Sequence, residues 1–135
     1  MSESTSSCPC GSNFPYAACC APLHANLAKA ETAEQLMRSR YSAFAKGLAN
    51  YLVKTRAPAM REASDLKDIK AMIASTDWVA LEIRDTELGA AEDKIGEVEF
   101  VASYVSNGVP GQLHERSRFI KDGDEWYYLD GDIKA

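Results

Sequence analysis

Four cysteines near the start of the chain have the residue type and spacing of a metal site. They are Cys8, Cys10, Cys19 and Cys20, and no other cysteine occurs in the sequence. Zn²⁺ prefers four ligands of this kind at the corners of a tetrahedron, and two short ligand pairs joined by a tight loop can supply them. Because four thiolates leave no open position for water, the pattern predicts a structural zinc ion and not a catalytic one.

The residues between the two cysteine pairs favour a compact loop. Pro9 stiffens the first pair, and Gly11 can adopt a positive φ angle that lets the chain fold back and direct amide groups at the sulfur atoms. Phe14 and Tyr16 could pack over the metal and exclude water. Amide donors matter here because four thiolates on one Zn²⁺ leave the site doubly negative.

Other interpretations of the cluster stay open at this point. The cysteines could form disulfide bonds, although the adjacent Cys19 and Cys20 cannot easily pair with each other. They could be four unrelated buried thiols, or they could bind another soft metal such as Cu(I) or iron. His24, which follows soon after Cys20, could also replace one cysteine as the fourth ligand.

The composition is typical of a globular protein. Of 135 residues, 46% are hydrophobic and 26% are charged, which suits one domain with room for a small extra module. The net charge of −5 argues against nucleic acid as a partner, since phosphate binding needs concentrated Lys and Arg. No apolar run approaches the ~20 residues that span a bilayer, so we expect no membrane span. Residues 1–7 do not resemble a secretory signal, so we expect the cytoplasm, where thiols stay reduced.

Helical periodicity dominates the chain after the cysteine cluster. A capping box at residues 32–35 predicts a helix start. Apolar residues at helical spacing follow at Met37, Tyr41, Phe44, Leu48, Tyr51 and Leu52. Gly47 is expected to divide this stretch into two helices, and Pro58 to end the second. A further helix is predicted from residue 64 to about residue 75.

The second half of the chain changes to an alternating period that predicts strands. The predicted strands cover residues 78–84, 95–105, 112–121 and 125–130, with turns between them at 107–111 and 122–124. In the first of them Val79, Leu81 and Ile83 would share one face. Helices followed by an antiparallel meander indicate an α+β fold. We therefore expect a zinc knuckle at residues 1–25 and an α+β domain at residues 26–135.

The cysteine segment resembles a known motif. Residues 8–20 resemble the SEC-C motif, whose usual form is C-x-C-G-S-G-x-x-x-x-x-C followed by C or H, and they match it at the spacing of all four cysteines and at Pro9, Gly11 and Ser12. In the tail of the preprotein translocase motor this motif binds zinc and contacts a secretion chaperone. Typical copies carry several lysines in the loop, whereas residues 13–18 include no basic residue. The resemblance therefore implies zinc as the cofactor and leaves a protein partner at the knuckle as a hypothesis.

The rest of the chain also resembles known proteins. The order of elements is similar to the cone-shaped fold of nuclear transport factor 2-like (NTF2-like) proteins, in which helices close the concave side of a curved antiparallel sheet. More closely, the chain resembles the YchJ-like bacterial proteins, which join a SEC-C motif to such a domain. The segments that carry this resemblance are LMRSRYSAF at 36–44, FVASY at 100–104, ERSRF at 115–119 and WYYLDG at 126–131. Since that family has no established biochemical activity, the resemblance implies a fold and not a reaction.

Glu115 is the residue of the second half whose position is most informative about chemistry. In the third predicted strand it alternates onto the same face as Leu113, Ser117 and Phe119, so it would point to the core with them. A buried carboxylate must be paired, hydrogen-bonded or protonated. Arg40, on the flank of the apolar helix face, is the expected partner. Such a pair would be either a structural clamp or part of a ligand site.

Several other side chains are candidates for a pocket in the cone. They are Tyr41, Tyr104, Ser117, Trp126, Tyr128 and Asp130. Asp130 shares alternation with Trp126 and Tyr128, although it could simply end its strand. Arg116 and Arg118 form a small basic strip on the opposite strand face. No Ser-His-Asp order, phosphate loop or dinucleotide fingerprint occurs in the sequence.

Together these features predict a zinc-binding cytoplasmic protein that acts as a binding or adaptor module. Its cone would hold a small-molecule ligand or form a homodimer. The alternative is a small-molecule enzyme that uses the cone pocket with Glu115 as general base. An open cavity with an unpaired carboxylate whose pKa is raised would favour the enzyme, whereas full neutralisation of Glu115 by arginine with no cavity would exclude it.

Overall fold

The computed structural model describes residues 7–134. Residues 1–6, which hold most of the segment tested for a secretory signal and the start of the predicted knuckle, lie outside the described residues, as does Ala135. The helices are α1 (Ala21–His24), α2 (Ala33–Lys46), α3 (Ala49–Lys54) and α4 (Asp65–Ser75). The strands are β1 (Thr76–Leu88), β2 (Ile95–Ser106), β3 (Val109–Asp122) and β4 (Glu125–Ile133).

Helix α2 begins at a side-chain cap and ends at a glycine. Thr32 Oγ1 accepts a hydrogen bond from the Gln35 backbone N–H at 3.0 Å, as the capping box predicts. Gln35 Oε1 accepts from the N–H of Glu31, one residue before the cap, at 2.6 Å. Gly47 follows the helix with φ 78° and a left-handed conformation, which stops α2. The predicted division at Gly47 is confirmed.

Helix α3 ends at Lys54, earlier than a stop at Pro58 implies. Strand β4 fixes this exit, because the Tyr128 N–H donates to Thr55 O at 2.9 Å and the Ala57 N–H donates to Tyr128 O at 2.8 Å. Pro58 instead opens a short 3₁₀ turn. The end of α3 therefore depends on a strand more than 70 residues later in the chain, a contact that local sequence signals do not encode.

The four strands form one antiparallel sheet in the order β1-β2-β3-β4. All four predicted strands are present, and each extends beyond its predicted bounds because the backbone ladder continues past the alternating side chains. The ladders contain three register shifts, at which Val79 and Arg84 in β1 and Leu129 in β4 are extra residues without a partner of their own. Each shift exchanges the faces of the residues beyond it on the strand that carries the extra residue.

The core lies between α2, α3 and the sheet. Its most deeply buried side chains include Leu36 and Leu52 from the helices and Val98, Phe119 and Trp126 from the sheet. Burial of each such side chain contributes roughly 1.5–3 kcal/mol to stability. The α+β prediction is confirmed, since helices precede a four-stranded antiparallel sheet. Across residues 7–134, no helix is long and apolar enough to cross a membrane.

Candidate metal centre and ligand cavity

The four cysteines lie close enough together to share one ion. All four Sγ atoms lie within 4.8 Å of one another, and all four are free thiols. The Sγ–Sγ distance is 3.6 Å between Cys10 and Cys19 and 3.9 Å between Cys19 and Cys20. Tetrahedral zinc with Zn–S bonds of about 2.3 Å places its sulfur atoms about 3.8 Å apart. The cluster is therefore positioned to bind a metal ion, and its dimensions and all-thiol chemistry fit Zn²⁺.

The loop between the cysteine pairs has the shape that the sequence predicts. Gly11 has φ 82°, and a Cβ atom at this position would lie 3.2 Å from the backbone oxygen of Leu81 in β1. The Cys8 N–H donates to Phe14 O at 2.8 Å, which closes the loop. Ser12 Oγ lies 3.2 Å from Cys19 Sγ, so a hydroxyl supplies one of the donors that a thiolate cluster needs.

Electrostatics within the cluster favour a bound cation. Hydrogen bonding from Cys20 and, to a lesser degree, from Ser12 and Cys8 lowers the pKa of Cys10 to about 4. The same interaction with Cys10, together with burial, raises the pKa of Cys20 far above its usual range. One thiolate forms readily and then opposes ionisation of its neighbours, since like charges at this separation repel. A divalent cation at the centre removes that conflict.

Only one of the two aromatic residues expected to shield the metal packs on the thiols. Tyr16 lies against the cysteine cluster, and its ring centroid is 4.3 Å from Lys46 Nζ. Phe14 does not shield the site, because its side chain is 63% exposed. The backbone oxygen of Phe14 is used to close the loop with Cys8, and the side chain is left in solvent.

His24 is not placed as a metal ligand. Its Nε2 atom lies 2.8 Å from Ser39 O and its Nδ1 atom lies 2.6 Å from Tyr16 Oη. A carbonyl oxygen only accepts, so Nε2 carries the proton and Nδ1 accepts from the tyrosine hydroxyl. Burial lowers the pKa of His24, which keeps the ring neutral. Both nitrogens are therefore occupied, and the residue ties α1 to α2.

The knuckle docks on one side of α2. Arg38 Nη1 donates to Cys10 O at 2.7 Å, and Ser42 Oγ lies 3.3 Å from Cys8 Sγ. Together with Lys46, these side chains recur at four-residue spacing and so form one stripe of the helix. The cysteine cluster therefore packs directly against the α+β domain and is not connected to it by a flexible linker alone.

A cavity of about 240 Å³ lies on the other side of α2, between that helix, α4 and the sheet. Five of the predicted pocket residues line it, namely Arg40, Tyr41, Glu115, Ser117 and Tyr128. Most of the remaining wall is apolar and includes Met37, Phe44, Met72, Trp78, Phe100 and Leu113. The predicted shared face of Leu113, Glu115, Ser117 and Phe119 in β3 is confirmed, because the first three line the cavity and Phe119 is buried.

Glu115 places a carboxylate on the cavity wall. Ser117 Oγ donates to Oε2 at 2.7 Å, and Tyr128 Oη donates to the same oxygen at 3.0 Å. Gly131 lies directly across the sheet from Ser117, and a Cβ atom there would collide with the Glu115 carboxylate. The glycine thus leaves the space that this orientation of the carboxylate occupies.

The expected ion pair between Arg40 and Glu115 does not form within the described residues. Arg40 Nη1 donates to Leu52 O at 2.9 Å and to Thr55 Oγ1 at 2.6 Å, and the guanidinium carbon lies 4.8 Å from the centroid of the Tyr128 ring. The last carbonyl groups of a helix have no partner within the helix, so the end of α3 binds the Arg40 guanidinium in place of the Glu115 carboxylate. Burial lowers the pKa of Arg40 to about 10, so it stays charged at neutral pH.

Three predicted pocket residues lie away from the cavity. Tyr104 packs edge-on against Trp78, with ring centroids 5.3 Å apart. Trp126 is in the core and its Nε1 donates to Glu31 O at 3.2 Å. Asp130 lies on the opposite sheet face and pairs with Arg118, because the β3–β4 bulge reverses its predicted side.

The predicted basic strip on the outer sheet face is neutralised. Arg116 pairs with four carboxylates, those of Asp85, Glu87, Glu97 and Glu99. Arg118 pairs with Asp130 and Asp132. The strip is therefore part of a charge network within the sheet and offers no free cations to an acidic partner.

Comparison with known proteins identifies the family of this chain. Residues 32–131 match the family model described as the YchJ middle NTF2-like domain. The chain belongs to the YchJ family. That assignment confirms the resemblance noted in the sequence, including the NTF2-like fold of the domain that carries the cavity.

Curated YchJ-family relatives cover most of the chain. A UPF0225 protein of Vibrio parahaemolyticus is 47% identical over 126 residues, which are 93% of this chain and 74% of that protein. The UPF0225 protein YchJ of Shigella dysenteriae is 41% identical over 124 residues, which are 92% of this chain and 81% of that protein.

Two solved structures share the fold of this chain over nearly its whole length. The solution structure of a SEC-C motif containing protein from Rhodopseudomonas palustris has a TM-score of 0.87 and 34% identity, and the match covers 96% of this chain and 100% of that one. The crystal structure of a SEC-C motif containing protein from Psychrobacter arcticus has a TM-score of 0.81 and 32% identity, covering 100% of this chain and 86% of that one.

Sequence reasoning missed the role of Trp78 in the cavity of this YchJ-family fold. Simple alternation grouped Val79 with Leu81 and Ile83, but the register shift after Trp78 leaves Val79 65% exposed and turns the indole inward. Trp78 Nε1 is buried and has no hydrogen-bond partner within residues 7–134. Gly131 was also missed, although a glycine inside a strand is a known signal of close approach.

Proposed function

We propose that this protein is a cytoplasmic, zinc-stabilised protein that binds a small molecule in the cavity between α2, α4 and the sheet. The observation that carries the proposal is the Glu115 carboxylate, which lies on the wall of that cavity and is held by two hydroxyl groups without an arginine partner. In a structural ion pair, protein groups of opposite charge match each other. Here both protein donors bind Oε2 of Glu115, which leaves Oε1 available to a ligand.

A second observation supports a ligand in the same cavity. The Trp78 indole N–H is buried without an acceptor in the described part of the chain. Buried donors in native proteins are nearly always satisfied, and an orphan at a cavity wall is typical of a site completed by water or by a ligand. A ligand with an acceptor atom or an aromatic ring face at Trp78 and a donor at Glu115 would satisfy both groups.

Zinc at Cys8, Cys10, Cys19 and Cys20 would have a structural role in this protein. Bound there, it supplies a cross-link that holds the knuckle together on the outer side of α2. The cytoplasm suits the site because its four ligands must stay reduced. Four thiolate ligands fill the coordination sphere, so this metal would not take part in chemistry at the cavity.

The wall of the cavity supplies polar groups that can hold a ligand beside Glu115. Burial raises the pKa of Tyr41 to about 12, and burial together with the Glu115 charge raises the pKa of Tyr128 further. Both phenols are therefore neutral hydrogen-bond donors at physiological pH, and Arg40 remains a cation. These donors and the buried cation are suited to orienting a polar ligand beside Glu115.

A fragment screen with a blocked-mouth variant tests this function. Met72, which lines the cavity and is 47% exposed, would close its mouth as Met72→Trp. Ala71→Trp adds the same ring at an exposed neighbour and serves as the control. We expect fragments that shift the NMR signals of cavity residues in the wild type and in Ala71→Trp, and none in Met72→Trp. Fragments that bind all three proteins equally, or none that bind the wild type, would refute the proposal.

A further inference from the structure

The cavity combines aromatic walls with a single carboxylate. Tyr41, Phe44, Trp78, Phe100 and Tyr128 all contribute to its lining. The faces of aromatic rings carry partial negative charge and attract cations. A carboxylate among such rings is the combination that proteins use for organic cations, because the ring faces stabilise the charge without hydrating it.

The Glu115 carboxylate has an oxygen available to a ligand. Both protein donors, Ser117 and Tyr128, bind Oε2, and Oε1 accepts no hydrogen bond within residues 7–134. Hydrogen bonds to an ionised acceptor are about twice as strong as neutral ones, so a charged N–H donor is the group that gains most from this oxygen.

Arg40 is the only cation on the described wall, and it is held by other groups. Its Nη1 is committed to Leu52 O and Thr55 Oγ1, and its guanidinium carbon lies over the Tyr128 ring. These contacts hold the Arg40 side chain in an orientation that forms no direct ion pair with Glu115. An anion bound at Arg40 is nevertheless the main rival to a cation bound at Glu115, and the test must separate the two.

The size of the cavity restricts the ligand. A volume of about 240 Å³ corresponds to roughly eight water molecules at about 30 Å³ each. That space suits one ring with a short side chain, whereas a nucleotide or a peptide would extend well beyond it. The apolar wall from Met37, Phe100 and Leu113 favours a hydrophobic body for such a molecule.

We infer that the cavity takes a small amine with an apolar, ring-sized body, whose ammonium group donates to Glu115 Oε1 while its body lies among the aromatic side chains. This inference rests on the proposed small-molecule function and adds the class of ligand. Glu115 supplies selectivity for the cation, and Ser117 and Tyr128 hold the carboxylate in the orientation that binds it.

Three matched probes test this inference on the zinc-loaded full chain. They are 2-phenylethylammonium, 2-phenylethanol and 3-phenylpropanoate, which present a similar body with positive, neutral and negative ends. The indole N–H signal of Trp78 reports the cavity by ¹⁵N NMR, and that of Trp126 is the internal control, because its N–H already bonds Glu31 O. We expect the ammonium probe to shift Trp78 saturably and leave Trp126 unchanged. Its affinity should exceed that of the alcohol at least about tenfold.

Two substitutions assign the selectivity to Glu115. Glu115→Gln keeps the acceptor for Ser117 and Tyr128 but removes the charge, and should abolish the preference for the ammonium probe. Glu82→Gln, at an exposed carboxylate paired with Arg84, should retain it. If Glu115→Gln does not fold, the comparison of the three probes on the wild type decides alone.

Other outcomes have separate meanings. Tighter binding of 3-phenylpropanoate would overturn the amine inference and indicate recognition by Arg40, while small-molecule binding in the cavity would stand. Unchanged amine affinity in Glu115→Gln, or no amine binding at millimolar concentration, would also overturn it. The blocked-mouth fragment screen then decides independently whether the cavity binds small molecules at all.

Discussion

The Sγ atom of Cys8 lies 3.3 Å from the Oγ atom of Ser42, so the thiol cluster contacts the helix whose other side forms the cavity wall. Tyr41, the residue next to Ser42, lines that cavity. Helix α2 is therefore shared by the two sites, with the thiol cluster on one side and the cavity on the other.

Metal content is the first expected outcome. The purified protein should contain one zinc ion per chain, and a Cys19→Ser, Cys20→Ser variant should lose it, as measured by elemental analysis. His24→Ala is the matched control and should retain zinc, since both nitrogens of His24 are used for hydrogen bonds. Loss of zinc in His24→Ala with a folded domain, or iron or copper in the wild type, would contradict the assignment.

Removal of the metal should unfold the knuckle and leave the sheet intact. The α+β domain supplies the main core, from Leu36 to Trp126, to which the knuckle adds only Leu23, whereas small zinc modules rarely fold without metal. We expect chelation to remove hydrogen-exchange protection from residues 7–25 and to lower the Tm of the domain, because the docked contacts at Arg38 and Ser42 are lost. Cooperative unfolding of the sheet on chelation would show that the two units fold as one.

A side chain at position 131 should displace the Glu115 carboxylate. Gly131→Ala places a Cβ atom in the space of that carboxylate, so we expect a loss of about 1–3 kcal/mol in the free energy of unfolding. In a Glu115→Ala background the collision is absent and most of that loss should disappear. Urea denaturation of the four proteins in this cycle measures the coupling, and additive effects would rule out the contact as the cause.

Arg40 should contribute to stability through its hydrogen bonds and not through an ion pair. Arg40→Met leaves Leu52 O and Thr55 Oγ1 without their donor, which is expected to cost about 1–3 kcal/mol in urea denaturation. Arg84→Met, at an exposed pair with Glu82, should change stability by less than about 0.5 kcal/mol. Equal effects of the two substitutions would contradict this role of Arg40.

The outer sheet face should make stability depend on pH. Hydrogen bonds from Arg116 hold the pKa of Asp85 below its ordinary 3.8, and those from His114 and Arg116 hold the pKa of Glu99 below 4.5. Because these pKa values are lowered by folding, the stabilisation is complete above about pH 4.5 and is lost as the pH falls through the lowered values. The difference in Tm between the wild type and Arg116→Gln should therefore shrink from pH 6 to pH 3.

The control for this pH profile is Arg84→Gln, whose partner Glu82 is 64% exposed. Exposed pairs contribute little, so the Tm difference between this variant and the wild type should stay small at every pH. A Tm difference for Arg116→Gln that is constant from pH 6 to pH 3 would show that the carboxylates around Arg116 do not stabilise the folded state.

Local patterns were sufficient for the elements and for the metal cluster. The cap at Thr32, the stop at Gly47 and the four alternating segments each depend on residues close together in the chain, where propensity and periodicity are informative. The four cysteines lie within 13 residues of one another, so a short loop is enough to gather their sulfur atoms.

The sequence by itself therefore determined the α+β class, the thiol cluster and the inward face of β3 that carries Glu115. Only the tertiary structure decided what Glu115 meets, because bulges at Val79 and Leu129 shift the strand faces by one residue and bring Trp78 inward while turning Asp130 outward. Arg40 likewise binds the end of α3, since carbonyl groups there become available only after the helices pack. Such choices depend on register and on contacts between distant segments, which a local pattern does not contain.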